Sequence, residues 1–288
     1  MAAPGHHQHV RRDREAGNNI LVASWYGREE ANNYYQGAKV TFINANSDVL
    51  RYRHVLLVEP VRRFDEEKAW YDFQPVRVHA GGIAWYKHRL YVADSERGAL
   101  RVFNTDEMFR ATGYSKEHCG LHGGAYHAFG NGYVLPQGRI YDLTGSKKLR
   151  FSQVALDRTT PTDSLVVSEW IDGAKSTRIA RWNLNEDSRY GYLGQLTSRP
   201  TVRIDDGGNI QGAVSVRKTF YLSVSNGKKN RGFLKTARPR EGVAEARTVG
   251  RVPAGPEDVS YQAVSGTPGR IWSLNEYENN RYVYAIRL

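Results

Sequence analysis

The chain has 288 residues, with 41 Lys and Arg against 30 Asp and Glu, a formal charge of +11, 40% apolar residues and a single cysteine. That apolar share supplies a core and excludes a disordered chain. The lone Cys119 excludes an intrachain disulfide and a cysteine-rich zinc module, and no apolar run reaches the roughly 18–20 residues that span a bilayer. Met1 to Gly5 carry neither a charged n-region nor an apolar h-region. Two locations stay open, a secreted domain lacking its signal peptide or a cytoplasmic protein.

Short runs rich in Val, Leu, Ile, Tyr and Trp alternate with Gly, Asn, Asp and Pro along the whole chain, the chemistry of strands and turns. The runs repeat. Ile20–Trp25, Leu90–Ser95, Leu165–Trp170, Phe220–Ser225 and Arg270–Asn275 are each apolar and most turn polar at the far end. A second run follows each after a polar turn: Ala38–Ile43, Ala99–Phe103, Arg178–Trp182, Gly232–Lys235 and Arg281–Ile286. A third precedes most of them, at Gly81–Trp85, Phe151–Ala155, Gly212–Val216 and Asp258–Tyr261. A compressed copy is legible in Tyr126–Phe129, Tyr133–Gln137 and Arg139–Leu143.

Six units of about 48 residues, with several strands each, predict a β-propeller, because one small sheet buries its two faces only by packing radially against neighbours. The prediction is an all-β fold of six blades. Five is the alternative, since the unit at 133 is short enough to be an insertion of its neighbour. Residues 18–288 form the propeller domain, and residues 1–17 are an N-terminal segment that supplies the first innermost strand. Residues 105–125 read as a short helix and a glycine-rich loop between blades, and such long excursions are often functional.

The runs His79–Ile83, Tyr133–Gln137, Ser164–Glu169, Gln211–Ser215 and Glu257–Tyr261 resemble those of secreted actinobacterial propeller proteins of unassigned function, over most of residues 18–288. The resemblance implies a secreted propeller and no catalytic residues. The chain departs from that group at Gln8-His9-Val10, where a Gln-Gly-Ile type of run is expected.

Aligned units bring Gln8, His79, Tyr126 or His127, Gln153, Gln211 and Glu257 or Asp258 to equivalent positions at one mouth of the central channel. Such a ring suits a polar ligand, and it also suits a water-filled channel with no ligand. Six histidines cluster at His6, His7, His9 and at His118, His122, His127, with His79 expected nearby. Imidazoles with a carboxylate bind transition metals, so His79, His122, His127 and Asp258 are the metal candidates. A calcium ion on Glu257 or Asp258 is a further expectation. Acid–base pairs would be His79 with Glu257, or Glu169 with Asp258, and the catalytic candidates are His79, His127, Glu257 and Asp258. Cys119, between two histidines, is a candidate thiol nucleophile, though a lone loop cysteine is more often incidental.

Tyr34, Tyr35, Trp70, Tyr71, Tyr190, Tyr192 and Tyr277 lie in polar stretches and suit stacking on sugars. Trp25, Trp85, Trp170, Trp182 and Trp272 read as blade packing. From Arg217 to Arg240 the chain carries eight basic residues and no acid. That patch steers anions or guards a strand edge, and no nucleic-acid motif accompanies it, so a nucleic-acid partner is not expected. The leading function is a secreted or surface propeller that binds a glycan or another polar, anionic ligand. The alternatives are a metal-assisted hydrolase or lyase and a protein-interaction scaffold.

Overall fold

The structure is a computed structural model that describes residues 5–13, 18–26, 36–46, 48–65, 68–143, 149–184, 193, 202–205, 208–277 and 281–288; at 5–13, 18 and 19 the backbone alone is described. It is a β-propeller of five blades. Blade I contains β1 (Gly5–Asp13), β2 (Asn18–Tyr26), β3 (Ala38–Asn44) and β4 (Arg51–Phe64), an antiparallel meander, with β5 (Ala69–Pro75) paired to the far half of β4. Blade II contains β6 (Ile83–Tyr86), β7 (Arg89–Asp94) and β8 (Ala99–Asn104). Its fourth strand comes only after the excursion that holds β9 (Phe109–Arg110), β10 (Cys119–His122) and β11 (Ala125–Ala128); this is β12 (Tyr133–Asp142), which pairs with β8.

Blade III is built from β13 (Phe151–Asp157), β14 (Ser164–Glu169), β15 (Ser176–Asn183) and β16 (Val202–Asp205). Blade IV has β17 (Ile210–Val216), β18 (Thr219–Val224) and β19 (Gly232–Ala237), and beyond them β20 (Val243–Glu245), which pairs back to β16, and β21 (Arg247–Val252), which completes the sheet. Blade V shows three strands among the described residues, β22 (Pro256–Gln262), β23 (Arg270–Asn275) and β24 (Val283–Arg287). The innermost strands β1, β6, β13, β17 and β22 touch one another around the axis, and β1 packs on β22. Among the described residues the ring therefore closes by packing and shares no strand.

The expected sixth unit is not a blade. Tyr126 and His127 lie in β11, which among the described residues pairs only with the four-residue β10, and residues 133–142 supply blade II with its outer strand. A short hairpin with one partner has no second face to bury, so it cannot stand as a blade. The excursion holds a 3₁₀ turn at Thr105–Glu107 and strand pairs in place of the expected helix. In addition β12 runs parallel to β4 at Val134–Pro136, which joins blades I and II into one ten-stranded sheet.

The core lies in the seams. Val22, Val40, Val55 and Leu57 of blade I meet Ile83, Leu90, Val92 and Phe103 of blade II. Tyr91, Leu100 and Tyr141 meet Phe151, Leu165 and Trp182 across the next seam. Each strand alternates its side chains between two seams, so nearly continuous apolar runs are required.

At the axis there is no room for side chains on two of the innermost strands. A Cβ on Gly82 would lie 2.7 Å from Gln153 Cα and 2.9 Å from Asp258 Oδ2. On Gly212 it would lie 2.7 Å from the Val259 nitrogen and 2.8 Å from Asp258 Cα. Alanine at either position pushes backbone against backbone. Gly82→Ala and Gly212→Ala are each expected to cost about 1–3 kcal/mol in urea unfolding, whereas Gly173→Ala, where open space surrounds the position, is expected to cost less and only through its positive φ.

Candidate functional site

The strand order puts the start of every innermost strand and the end of every second strand at one face of the ring, the mouth. Phe151 pairs with Glu169, Pro256 with Asn275 and Ile210 with Val224. Of the expected polar ring, Gln153, Glu257 and Asp258 are buried, Gln211 is half-buried and His79 is exposed. Gln8 lies on β1 opposite Ala23. Tyr126 and His127 are absent from the ring, because their hairpin sits on β5 at the perimeter, where the Leu121 N–H donates to Asp72 Oδ1 at 2.7 Å.

Asp258 is the axial carboxyl. It accepts from the Val259 N–H at 2.7 Å and from the Ile83 N–H at 3.3 Å, so it ties blade V to blade II. Burial raises its pKa well above the ordinary carboxylate value, against those two bonds. Gln153 donates from Nε2 to the Ala213 carbonyl at 3.0 Å, a second blade-to-blade tie, while its Oε1 has no hydrogen-bond partner. Glu257 is raised too, first by burial and then by the neighbouring carboxylates of Glu276 and Asp258. Burial thus favours the protonated form of both acids.

Glu169 is committed elsewhere. Arg178 grips it with Nε at 2.7 Å and Nη2 at 2.5 Å, which removes it as an acid–base partner of Asp258. His79 stacks on Tyr26 with ring centroids 4.4 Å apart. His118, His122 and His127 gather at the perimeter, with centroids 3.8, 6.0 and 6.3 Å apart. The expected metal set of His79, His122, His127 and Asp258 is thus divided between mouth, perimeter and axis. Among the described residues no three His, Cys, Asp or Glu side chains are grouped to hold a metal ion. The cause is the reassignment of residues 126–143 from an inner to an outer position.

Cys119 is not an activated thiol. Burial, helped by Asp72, pushes its pKa up to about 12, the opposite of what a nucleophile needs.

The mouth holds Trp170 and Tyr277, of which the sequence pattern pointed only Tyr277 to ligand stacking. Trp170, expected in blade packing, is half-buried just past β14, and the Arg150 guanidinium lies over its ring at 5.3 Å. Tyr277 is half-buried beside Gly255 and Glu276, and burial together with that carboxylate raises its phenol to about 12. Trp182 and Trp85 do pack the seams. Tyr71 is 76% exposed and Trp70 half-buried, both on β5 at the perimeter. Tyr34, Tyr35, Tyr190 and Tyr192 fall outside the described residues. The signal that Trp170 belongs to the mouth was its place one residue beyond a strand that turns polar at Ser168 and Glu169.

No protein-family model matches the chain, and no curated protein matches it. Solved structures similar to it include the GH43_1 enzyme from Xanthomonas citri complexed with xylotriose, at 11% identity and a TM-score of 0.45 over 100% of this chain and 88% of that one. The RS223 β-xylosidase follows at 11% and 0.42, with 100% and 92% covered. CoXyl43, a β-xylosidase/α-arabinofuranosidase from a compost microbial metagenome in complex with xylotriose, stands at 10% and 0.44, again with 100% and 92%. The propeller assignment itself rests on the strand pairing and axial packing described above. No helix among the described residues is long and apolar enough to cross a membrane.

Two outcomes check this electrostatic picture. An unfolded glutamate ionises near its ordinary value, while native Glu257 resists ionisation, so between those two values rising pH destabilises the fold. Glu257→Gln is expected to match the parent in urea unfolding near pH 4 and to exceed it increasingly toward pH 8. Native Cys119 is expected to resist Ellman's reagent at pH 8 and to react at once in denaturant.

Proposed function

We propose that this chain is a secreted propeller that binds a glycan or another polar ligand at its mouth. The observation that carries the reading is the pairing there of a half-buried indole, Trp170, with a guanidinium laid over it, Arg150. A flat apolar surface beside a planar multiple donor suits the face and hydroxyl rim of a sugar ring, or a carboxylate attached to one. Tyr277 and Glu276 add a second ring and an acceptor at the end of β23, and exposed His79 offers a further polar contact. The resemblance of the repeat runs to secreted actinobacterial propellers supports the location.

A panel of neutral and acidic oligosaccharides titrated against tryptophan fluorescence tests it. One of them should bind saturably, and Trp170→Ala and Arg150→Ala should each weaken that binding about tenfold, the loss of one stacked or charge-assisted contact. Silence across the panel, or binding unchanged in both variants, would sink the reading.

A second reading, a hydrolase or lyase, is favoured by one observation: Glu257 lies buried beside Glu276, and burial first and that neighbour second raise its pKa, as a proton donor in a carboxyl pair requires. It ranks second because Glu257 is only 5% exposed and the expected metal ligands are dispersed.

A further inference from the structure

Val22, Val40, Val55 and Leu57 of blade I point into the seam with blade II. By strand alternation Lys39, Thr41 and His54 lie on the opposite face of the sheet, the one on which Leu56 and Val58 pack against Phe73, Ala128 and Val134. Cross-strand register groups them: Thr41 sits opposite His54, and Lys39 opposite Trp25. The Thr41 hydroxyl and His54 Nδ1 are hydrogen-bonded at 2.7 Å, which leaves Nε2 as the ring's remaining polar atom. Tyr52 and Trp25 flank the imidazole, with ring centroids 5.2 and 6.3 Å from it.

Thr41 is buried, Lys39, His54 and Trp25 are half-buried and Tyr52 is 66% exposed.

A lysine and a histidine thus share one half-buried cluster. Burial lowers the pKa of Lys39, and burial together with Lys39 lowers that of His54. The titratable groups of the cluster on β2, β3 and β4 are Lys39, His54 and Tyr52, and among the described residues no carboxylate forms an ion pair with Lys39 or His54. A half-buried ammonium beside an imidazole is costly without a counter-charge.

We propose that this half-buried cluster on blade I binds a small oxyanion, a phosphate, sulfate or carboxylate group. Lys39 Nζ and His54 Nε2 donate to it, and Thr41 fixes the imidazole's orientation. The cluster belongs to blade I, whereas Trp170 and Arg150 flank blade III, so it does not depend on what those two residues bind.

Thermal unfolding in rising inorganic phosphate, with ionic strength held constant by chloride, tests it in the intact protein; sulfate and acetate arms separate tetrahedral from carboxylate preference. The melting temperature should rise saturably with at least one oxyanion. Lys39→Arg should keep that rise, and Lys39→Gln and His54→Gln should weaken it at least about tenfold, as expected for the loss of one charge-assisted contact. The same oxyanion should also raise the pKa of His54 in a proton NMR titration of the parent protein, a readout that holds if a variant fails to fold. Equal rises in the parent and Lys39→Gln, no rise with any oxyanion, or an unmoved His54 resonance would overturn the proposal.

Discussion

Five innermost strands have to meet around one axis, and the space they leave is set by backbone, not by side chains. Gly82 and Gly212 are the residues that let this happen, because any Cβ there would strike Gln153, Asp258 or Val259. What remains at the centre is polar: Asp258 accepts amide protons from its own strand and from blade II, and Gln153 reaches across to blade IV. In a dry setting such bonds are strong when made and costly when missing, so they specify which strands neighbour which. The seams, the mouth and the blade count all follow from that arrangement.

Polar contacts also tie the blades farther out. Arg181 reaches Asp157 at 2.6 Å in its own blade and Ser215 at 2.7 Å in the next. Burial alone would push Asp157 up, yet bonds from Thr159 and Arg181 hold it below its usual pKa. Arg101 joins Asp94 to Gln137 and Glu59, which brings the outer strand of blade I to blade II. These arginines have a partner on each side of a joint, and their value lies in registering one sheet against another more than in net stability.

The recurrence of apolar runs ending in Ser, Asp, Glu or Asn made the propeller legible, because a strand facing two seams must be apolar nearly throughout. The blade count was harder. Tyr133-Val-Leu-Pro-Gln137 has the composition of a middle strand, but whether such a run lies inside or outside a blade depends on a partner far along the chain, here β8 and β4. The mouth acids were legible by aligning units. The commitment of Glu169 to Arg178 was not, since that pair spans a strand and a turn whose register no local pattern reveals. Trp170 went to packing for the same reason: an aromatic one residue past a strand end can turn toward the core or the mouth, and only the neighbouring Arg150 decides.

The unequal joints of the ring bear on how it comes apart. Blades I and II are stitched through β12 by main-chain hydrogen bonds along Val134–Pro136, whereas among the described residues β1 of blade I lies beside β22 of blade V with no ladder between them. Main-chain ladders break only when both strands peel away, while packed faces separate by sliding. Pulled apart at blades I and V, the ring has a natural opening point between those two blades, and the I–II pair would survive longest as a single mechanical unit.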